Sequence, residues 1–309
     1  MSLIEYTLFG KVDKVKSAIE RIRLAEMSQE PLCVCYSGGK DSKVIRRLCE
    51  MAGVNYELHY NLTSVDHPSV VREILDDKEV IVDIPRDENG KQITMWSLIV
   101  QKKMPPTRLV RYCCEELKEE NGKGRICVTG VRKAESASRK LNSGEVKILG
   151  KTALKIAEET KADYLITPKG GIVLNLDNAE TRRTVERCYR THNTLINPII
   201  DWSDSDVWEF SRSEKIKQSD LYEQNGGAYK RLGCILCPMA TCKEREKGEK
   251  DYPNIKEAYI RAFEKMLKVN SNVSYSWKSG EEVFEWWMNR SGNLKKEKGQ
   301  ISFLGAQNE

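Results

Sequence analysis

The sequence has little histidine, three residues in 309, and no apolar run of the ~18 residues that a membrane-spanning helix needs. His59, His67 and His192 are scattered and read as ordinary polar residues rather than ligands. The opening stretch, MSLIEYTLFGKVDKVK, lacks the basic region, apolar core and small-residue cleavage site of a secretory signal. A cytoplasmic location with reduced thiols and no membrane partner is therefore expected. Internal repeats are absent, and no cysteine follows Cys242. An excess of one charge sign is missing too: 51 basic against 46 acidic residues give a net +5, which fits a nucleic acid no better than an anionic small molecule.

Ten cysteines are present, too many to pass over in a chain expected to keep its thiols reduced. Hydrophobic residues make up 39% and charged residues 31%, the balance of a folded domain with a solvated surface. Val12, Val15, Ile19 and Ile22 fall at helical spacing over residues 12–24. Pro31 then restarts the chain as a buried strand, 32–36, followed by a polar glycine loop. Beyond the loop Val44, Ile45, Leu48, Cys49 and Ala52 share one helical face, with Gly53 at the C-cap. Further strands are expected over 56–60, 80–84 and 125–131, with helices over 69–75 and 151–160 and a hairpin or edge strand near 170–176. Ser203 with Asp206 forms a capping-box pattern that opens another helix. Strands alternating with helices imply an α/β fold, a Rossmann-like, doubly wound and mostly parallel sheet. No strand is expected after about 211, where the chain reads as helical and charged; Lys295, Lys296 and Lys298 look like a solvated tail.

The loop Ser37-Gly38-Gly39-Lys40-Asp41-Ser42 leaves a strand and enters a helix. That geometry aims backbone N–H groups and the positive helix end at one point, where phosphate is the natural occupant. The glycines permit close approach, Ser37 and Ser42 offer hydroxyls, Lys40 adds a cation, and Asp41 can hold Mg²⁺ or cap the helix. The Walker A spacing is absent, and a plain strand-to-helix turn with a serine cap is the alternative.

Together with Arg111-Tyr112-Cys113-Cys114 and Lys118, Gly130-Val131-Arg132 with Glu135, Ser136 and Arg139, Asn197-Pro198 with Trp202, Val207 and Trp208, and Gly233-Cys234-Ile235-Leu236-Cys237-Pro238, this loop resembles the phosphoadenylylsulfate (PAPS) reductase-like family. That family belongs to the adenine nucleotide alpha-hydrolase, or PP-loop ATP pyrophosphatase, superfamily. The resemblance spans about residues 31–240; together with the patterning outside it, the expected organisation is an N-terminal helical segment over 1–30, a PP-loop nucleotide-binding domain over 31–210 and a mostly helical region over 211–309 carrying the C-x-x-C. It places Asn61, Thr63 and Asp66 near the nucleotide, although Thr63, Asp66 and Pro68 equally describe a loop entering a helix.

Arg132 and Arg139, seven apart, would share a face if one helix followed Val131. The resemblance assigns such arginines to the anionic end of the substrate; the alternative is a pair of surface arginines bridging Glu135 and its neighbours. Arg108, Arg111 and Lys118 are weaker candidates. Cys33, Cys35, Cys49 and Cys127 fall at core positions, whereas Cys113-Cys114 and Cys234-x-x-Cys237 supply four thiolates. Ligand chemistry leaves Zn²⁺ and an iron–sulfur cluster open, and the resemblance to adenylylsulfate reductases favours a 4Fe–4S cluster. Cys242 is a spare, as a ligand, a thiol nucleophile or neither, and Cys188 has no assigned place. Trp277, Trp286 and Trp287 read first as core and second as base-stacking residues.

Three functions are implied. The intact loop favours ATP·Mg²⁺ binding, cleavage between the α and β phosphates, and sulfur transfer to an adenylated acceptor, with a sulfur donor or thiol carrier and a nucleic-acid acceptor as partners. In this reading Lys40, Asp41, Arg132 and Arg139 act on the nucleotide held by the loop, Asn61, Thr63 and Gly130. The alternatives are a thiol-dependent reductase of adenylylsulfate or PAPS, which usually carries its nucleophile in a C-terminal Glu-Cys-Gly motif that is missing here, and a nucleotide-binding accessory protein.

Overall fold

The computed structural model describes residues 3–8, 10–25, 30–118, 122, 124–150, 152–176, 178–188, 192–270 and 275–289. In chain order the first elements are β1 (Ile4–Thr7), β2 (Gly10–Asp13), α1 (Lys14–Arg23), β3 (Leu32–Cys35), α2 (Lys40–Ala52), β4 (Tyr56–Asn61), α3 (Pro68–Asp76) and β5 (Val80–Asp83). Next come α4 (Met95–Lys102), α5 (Tyr112–Lys118), β6 (Ile126–Val128), α6 (Ala137–Asn142), β7 (Val146–Leu149), α7 (Ala153–Thr160), β8 (Leu165–Ile166), β9 (Ile172–Leu174), α8 (Ala179–Cys188), β10 (Asn193–Ile196) and α9 (Asp204–Ser213). The series ends with α10 (Cys242–Asp251), α11 (Pro253–Val269) and α12 (Gly280–Asn289). Among the described residues no helix is long and apolar enough to cross a membrane.

Eight strands form one sheet in the order β5-β4-β3-β6-β10-β7-β9-β8. The five strands from β5 to β10 run parallel, and β7, β9 and β8 extend the sheet antiparallel. The fold is thus the α/β, mostly parallel sheet that the alternating pattern implies. Strand alternation divides its residues cleanly. Leu32, Val34, Leu58, Tyr60, Ile126 and Val128 enter the main apolar core with Val44, Ile45 and Leu48 of α2. The residues between them, Cys33, Cys35, Glu57, His59 and Cys127, belong to the other face.

Three local readings change. The helix expected from residue 12 starts at Lys14, because the Asp13 carboxylate accepts the Val15 and Lys16 N–H groups and sets the N-cap there. Val12 instead pairs with Glu5 in a hairpin, so the first residues are not purely helical. Strands β7 and β10 lie in stretches read without a strand. The 170–176 stretch supplies β9, and β8 beyond it is the sheet edge. Lys295, Lys296 and Lys298 lie outside the described residues.

The chain divides into two compact units, residues 1–93 with 114–233, and residues 94–113 with 234–309. Residues 211–233 therefore pack with the sheet rather than with the C-terminal helices. In the second unit α4, α11 and α12 pack around Tyr259, Phe263 and Trp287. Trp287 is core, and its indole N–H donates to the Pro106 carbonyl at 2.6 Å. Trp277 and Trp286 are more open and meet edge to face at 4.8 Å.

Candidate functional site

The glycine loop joins the C-terminal end of β3, third strand from the parallel edge of the sheet, to the first turn of α2. Gly38 has φ +69°, and a Cβ there would stand 2.7 Å from Val70 Cγ1 and 2.9 Å from Ile74 Cδ1, so both conformation and space require glycine. The Ser42 hydroxyl donates to the Gly39 carbonyl at 2.9 Å and lies 3.3 Å from Ser37 Oγ, which closes the loop on itself. A helix start leaves four N–H groups without intrahelical acceptors. Here the Lys40 amide donates to the Tyr222 hydroxyl at 2.8 Å and that of Lys43 to the Gly39 carbonyl at 3.1 Å. The amides of Asp41 and Ser42 have no acceptor among the described residues.

Two cations and two carboxylates surround this turn. Arg132, only 1% exposed, donates through Nε to Asp41 Oδ1 at 2.8 Å and through Nη2 to Asp204 Oδ1 at 2.7 Å, with Nη1 on the Trp202 carbonyl at 3.3 Å. Lys40 Nζ closes the ring at 3.0 Å from Asp41 Oδ2 and 3.3 Å from Asp204 Oδ1. Desolvation alone would raise the Asp204 carboxyl, but the charges of Lys40 and Arg132 hold it below its ordinary range. Gly130 permits this closeness, since a Cβ at that position would stand 2.9 Å from Asp41 Cβ.

Ser37, Gly38, Gly39, Lys40, Asp41, Ser42, Gly130 and Arg132 are thus brought together. Arg139 is placed otherwise. No single helix follows Val131: a short 3₁₀ turn at 133–135 is broken by Ser136, extended at φ −169°, whose side chain caps α6 at the Arg139 amide. Arg132 and Arg139 therefore do not share a helical face, and Arg139 pairs with Glu135. Asn61 donates to the Lys118 carbonyl at 3.4 Å, while Thr63 is buried and bonds the Asp66 carboxylate through its hydroxyl at 2.6 Å and its amide at 3.2 Å. Asp204 and Tyr222 also meet this turn, and sequence reasoning did not single them out. Asp204 was visible only as part of a helix start, and Tyr222 arrives from 182 positions beyond Lys40.

In the second unit Cys234-x-x-Cys237 forms a tight turn, with the Cys237 amide on the Cys234 carbonyl at 3.2 Å and Leu236 at φ 60°. Cys113 and Cys114 open α5. None of the ten cysteines is in a disulfide. Among the described residues no three His, Cys, Asp or Glu side chains are already drawn into a metal-holding group. Two observations nonetheless suit a negatively charged thiolate centre. The buried Tyr259 phenol is held well above its usual range, by desolvation first and then by its closeness to Cys234, Cys237 and Cys113, so it lies near three of the four thiols. Arg245, 1% exposed, has no carboxylate partner among the described residues: its Nη atoms reach the Trp287 and Met288 carbonyls, its plane lies over Trp287, and its buried Nε is unsatisfied. Burial lowers its pKa, and Cys237 and Cys242 are among the groups that oppose that shift. Such a donor set and orphaned cation fit thiolate ligands around a soft metal or cluster. Cys242 itself is exposed at the start of α10.

Residues 31–240 match the model of the phosphoadenosine phosphosulfate reductase domain. The chain belongs to that family. Among curated proteins it is similar to the uncharacterized protein MJ0066 of Methanocaldococcus jannaschii, at 24% identity over 85% of this chain and 46% of that protein. It is also similar to the uncharacterized protein MJ0973 of the same organism, at 30% identity over 26% of this chain and 17% of that one. The chain therefore spans less than half the length of the curated relatives it matches. Among solved structures, similarity extends to a phosphoadenylyl-sulfate reductase from Candida auris in complex with phosphate, at 14% identity, TM-score 0.38, and 71% and 88% of the two chains. It extends also to the U34-tRNA thiolase NcsA from Methanococcus maripaludis with its 4Fe–4S cluster, at 12% identity, TM-score 0.33, and 92% and 84% of the two chains.

Proposed function

We propose that the chain binds ATP·Mg²⁺ at the 37–42 loop, cleaves it between the α and β phosphates with release of pyrophosphate, and uses the adenylation for sulfur transfer. The observation that carries this reading is the first turn of α2, where the amides of Asp41 and Ser42 lack acceptors among the described residues, beside a buried Lys40 and Arg132. A phosphate seated there accepts those two amides at the positive helix end. Asp41 and Asp204 are the carboxylates suited to hold Mg²⁺, which when bound offsets phosphate charge. Lys40 and Arg132 are fixed beforehand by these carboxylates, so stabilising charge that develops at the α-phosphate requires little reorganisation. Cys113, Cys114, Cys234 and Cys237 would hold a 4Fe–4S cluster, or Zn²⁺ in its place, with Arg245 as the buried countercharge. The acceptor oxygen belongs to a partner of unassigned chemistry, nucleic acid being one class.

Pyrophosphate release from ATP by anaerobically purified protein tests the reading. Turnover that falls in Ser42→Ala and Asp41→Asn supports it. Sulfite released from adenylylsulfate in a thiol-dependent manner, without pyrophosphate from ATP, would replace it with the reductase reading, for which Cys242 is the exposed thiol at hand. Nucleotide binding with neither product would make the chain an accessory protein. Iron and acid-labile sulfide at stoichiometric level, lost in Cys237→Ser, test the cluster separately.

A further inference from the structure

Three cysteines outside both sites meet on the polar face of the sheet. Cys33 of β3 stands directly opposite Cys127 of β6 in the parallel register, and Cys35, two residues along β3, lies on the same side. The Cys127 thiol donates to the Gly122 carbonyl at 3.6 Å, and the Cys33 and Cys35 thiols share its face of the sheet. Paired Cα atoms on adjacent strands lie about 4.8 Å apart, inside the range that a disulfide spans. Cys33 and Cys127 are buried, but Cys35 is exposed although β3 is an interior strand, so solvent reaches the cluster at that end. Cys35 is thus no core residue, contrary to its sequence reading.

The surroundings pair two basic side chains with two carboxylates. His59 Nδ1 lies 2.9 Å from Asp83 Oδ2 and Nε2 3.1 Å from Glu57 Oε2. Burial opposes protonation of this ring, and the two carboxylates overcome it. Arg125 sits 3.0 Å from His59 Nε2 and donates to Glu57 and to the Pro31 carbonyl. Beside the Cys127 and Cys35 thiols, and with His59 and Arg125 nearby, the Cys33 thiol is pulled well below its ordinary range. Cys49, buried without such company, is pushed up to about 12.

We infer that Cys33, Cys35 and Cys127 form a peroxide-reactive thiol centre in which Cys33 is the nucleophile, Cys127 the resolving thiol and Cys35 the solvent-side hydrogen-bond donor. The Cys33 thiolate attacks one oxygen of hydrogen peroxide; the O–O bond breaks, hydroxide leaves and is protonated to water, and Cys33 becomes a sulfenic acid. The Cys127 sulfur then attacks that sulfur, the S–O bond breaks, and a second water leaves with the Cys127 proton. Two thiols lose two electrons and two protons, and the peroxide becomes two waters. The bond formed ties β3 to β6, the strands that lead into Ser37 and Gly130.

Reduced full-length protein is treated with one equivalent of hydrogen peroxide, quenched with an alkylating agent and mapped by mass spectrometry. The expected product is a Cys33–Cys127 linked peptide pair, about 2 Da lighter than the two thiol peptides together, formed before Cys49 or Cys188 is modified. Cys35→Ala should keep the link and slow its formation about tenfold, while Cys127→Ala should leave a sulfenic acid at Cys33 that dimedone captures. The wild-type map decides by itself if a variant fails to fold. Oxidation spread over the other cysteines, Cys33 driven to higher oxides without the link, or no reaction at Cys33 would each overturn the inference.

Discussion

The nucleotide loop and the cysteine-bearing unit both bury a guanidinium, and they partner it in opposite ways. Arg132 is shared between Asp41 and Asp204, with Lys40 completing a ring of alternating charge. Arg245, equally buried, has among the described residues only carbonyls, an indole face and an orphaned Nε. A buried cation with hydrogen-bonded carboxylates is complete in the protein alone, whereas one without them awaits an anion. The ring beside the loop is thus complete as it stands, whereas Arg245 keeps a buried N–H without an acceptor among the described residues.

The largest effect should follow from breaking the complete partnership. Arg132→Met leaves Asp41 and Asp204 facing each other with only Lys40 between them, and unfolding measured in denaturant should show a loss of about 3–5 kcal/mol. An unchanged midpoint would mean that the ring is not structural. Asp41→Asn keeps the shape and removes one charge, so the fold should hold while pyrophosphate release falls by about 10²-fold. Full turnover in that variant would remove Asp41 from the reaction.

The unpartnered cation gives the sharper contrast. Arg245→Met should leave metal-free protein unchanged or up to about 2 kcal/mol more stable, because a desolvated charge is gone. In metal-loaded protein the same change should cost about 1–3 kcal/mol and hasten metal release to a chelator. Equal shifts in the two states would show that Arg245 does not sense the thiolates.

Much of this was legible in the sequence where one segment carries its own chemistry. The strand, the glycine loop and the helix around 33–53 announce themselves through an apolar run, two adjacent glycines and a helical stripe. That Arg132 comes near the loop was legible, but its partner was not: Asp204 lies 72 positions away and locally reads only as the first residue after a Ser203 cap. The presumed kinship of Arg132 with Arg139 failed because one extended residue, Ser136, breaks the helix that their spacing assumed. Cys35 looked like core because its strand is apolar in sequence, and residue type alone does not say which face of a sheet stays open to solvent.

The smallest effect concerns the exposed member of the complete ring. Lys40 and Arg132 hold the Asp204 carboxyl below its unfolded value near 3.9, so the stability it supplies is fully present above that value and is lost as pH falls through the lower, folded one. Because the Asp204 side chain is 73% exposed, solvent screening should keep this contribution under about 1 kcal/mol. Denaturant midpoints between pH 7 and pH 3 should therefore fall slightly less steeply in Asp204→Asn than in the unaltered chain, and 0.5 M salt should narrow the gap. An equal slope in both would place the weight of the ring on Asp41 alone, and the comparison with Arg245 would then rest on one carboxylate rather than two.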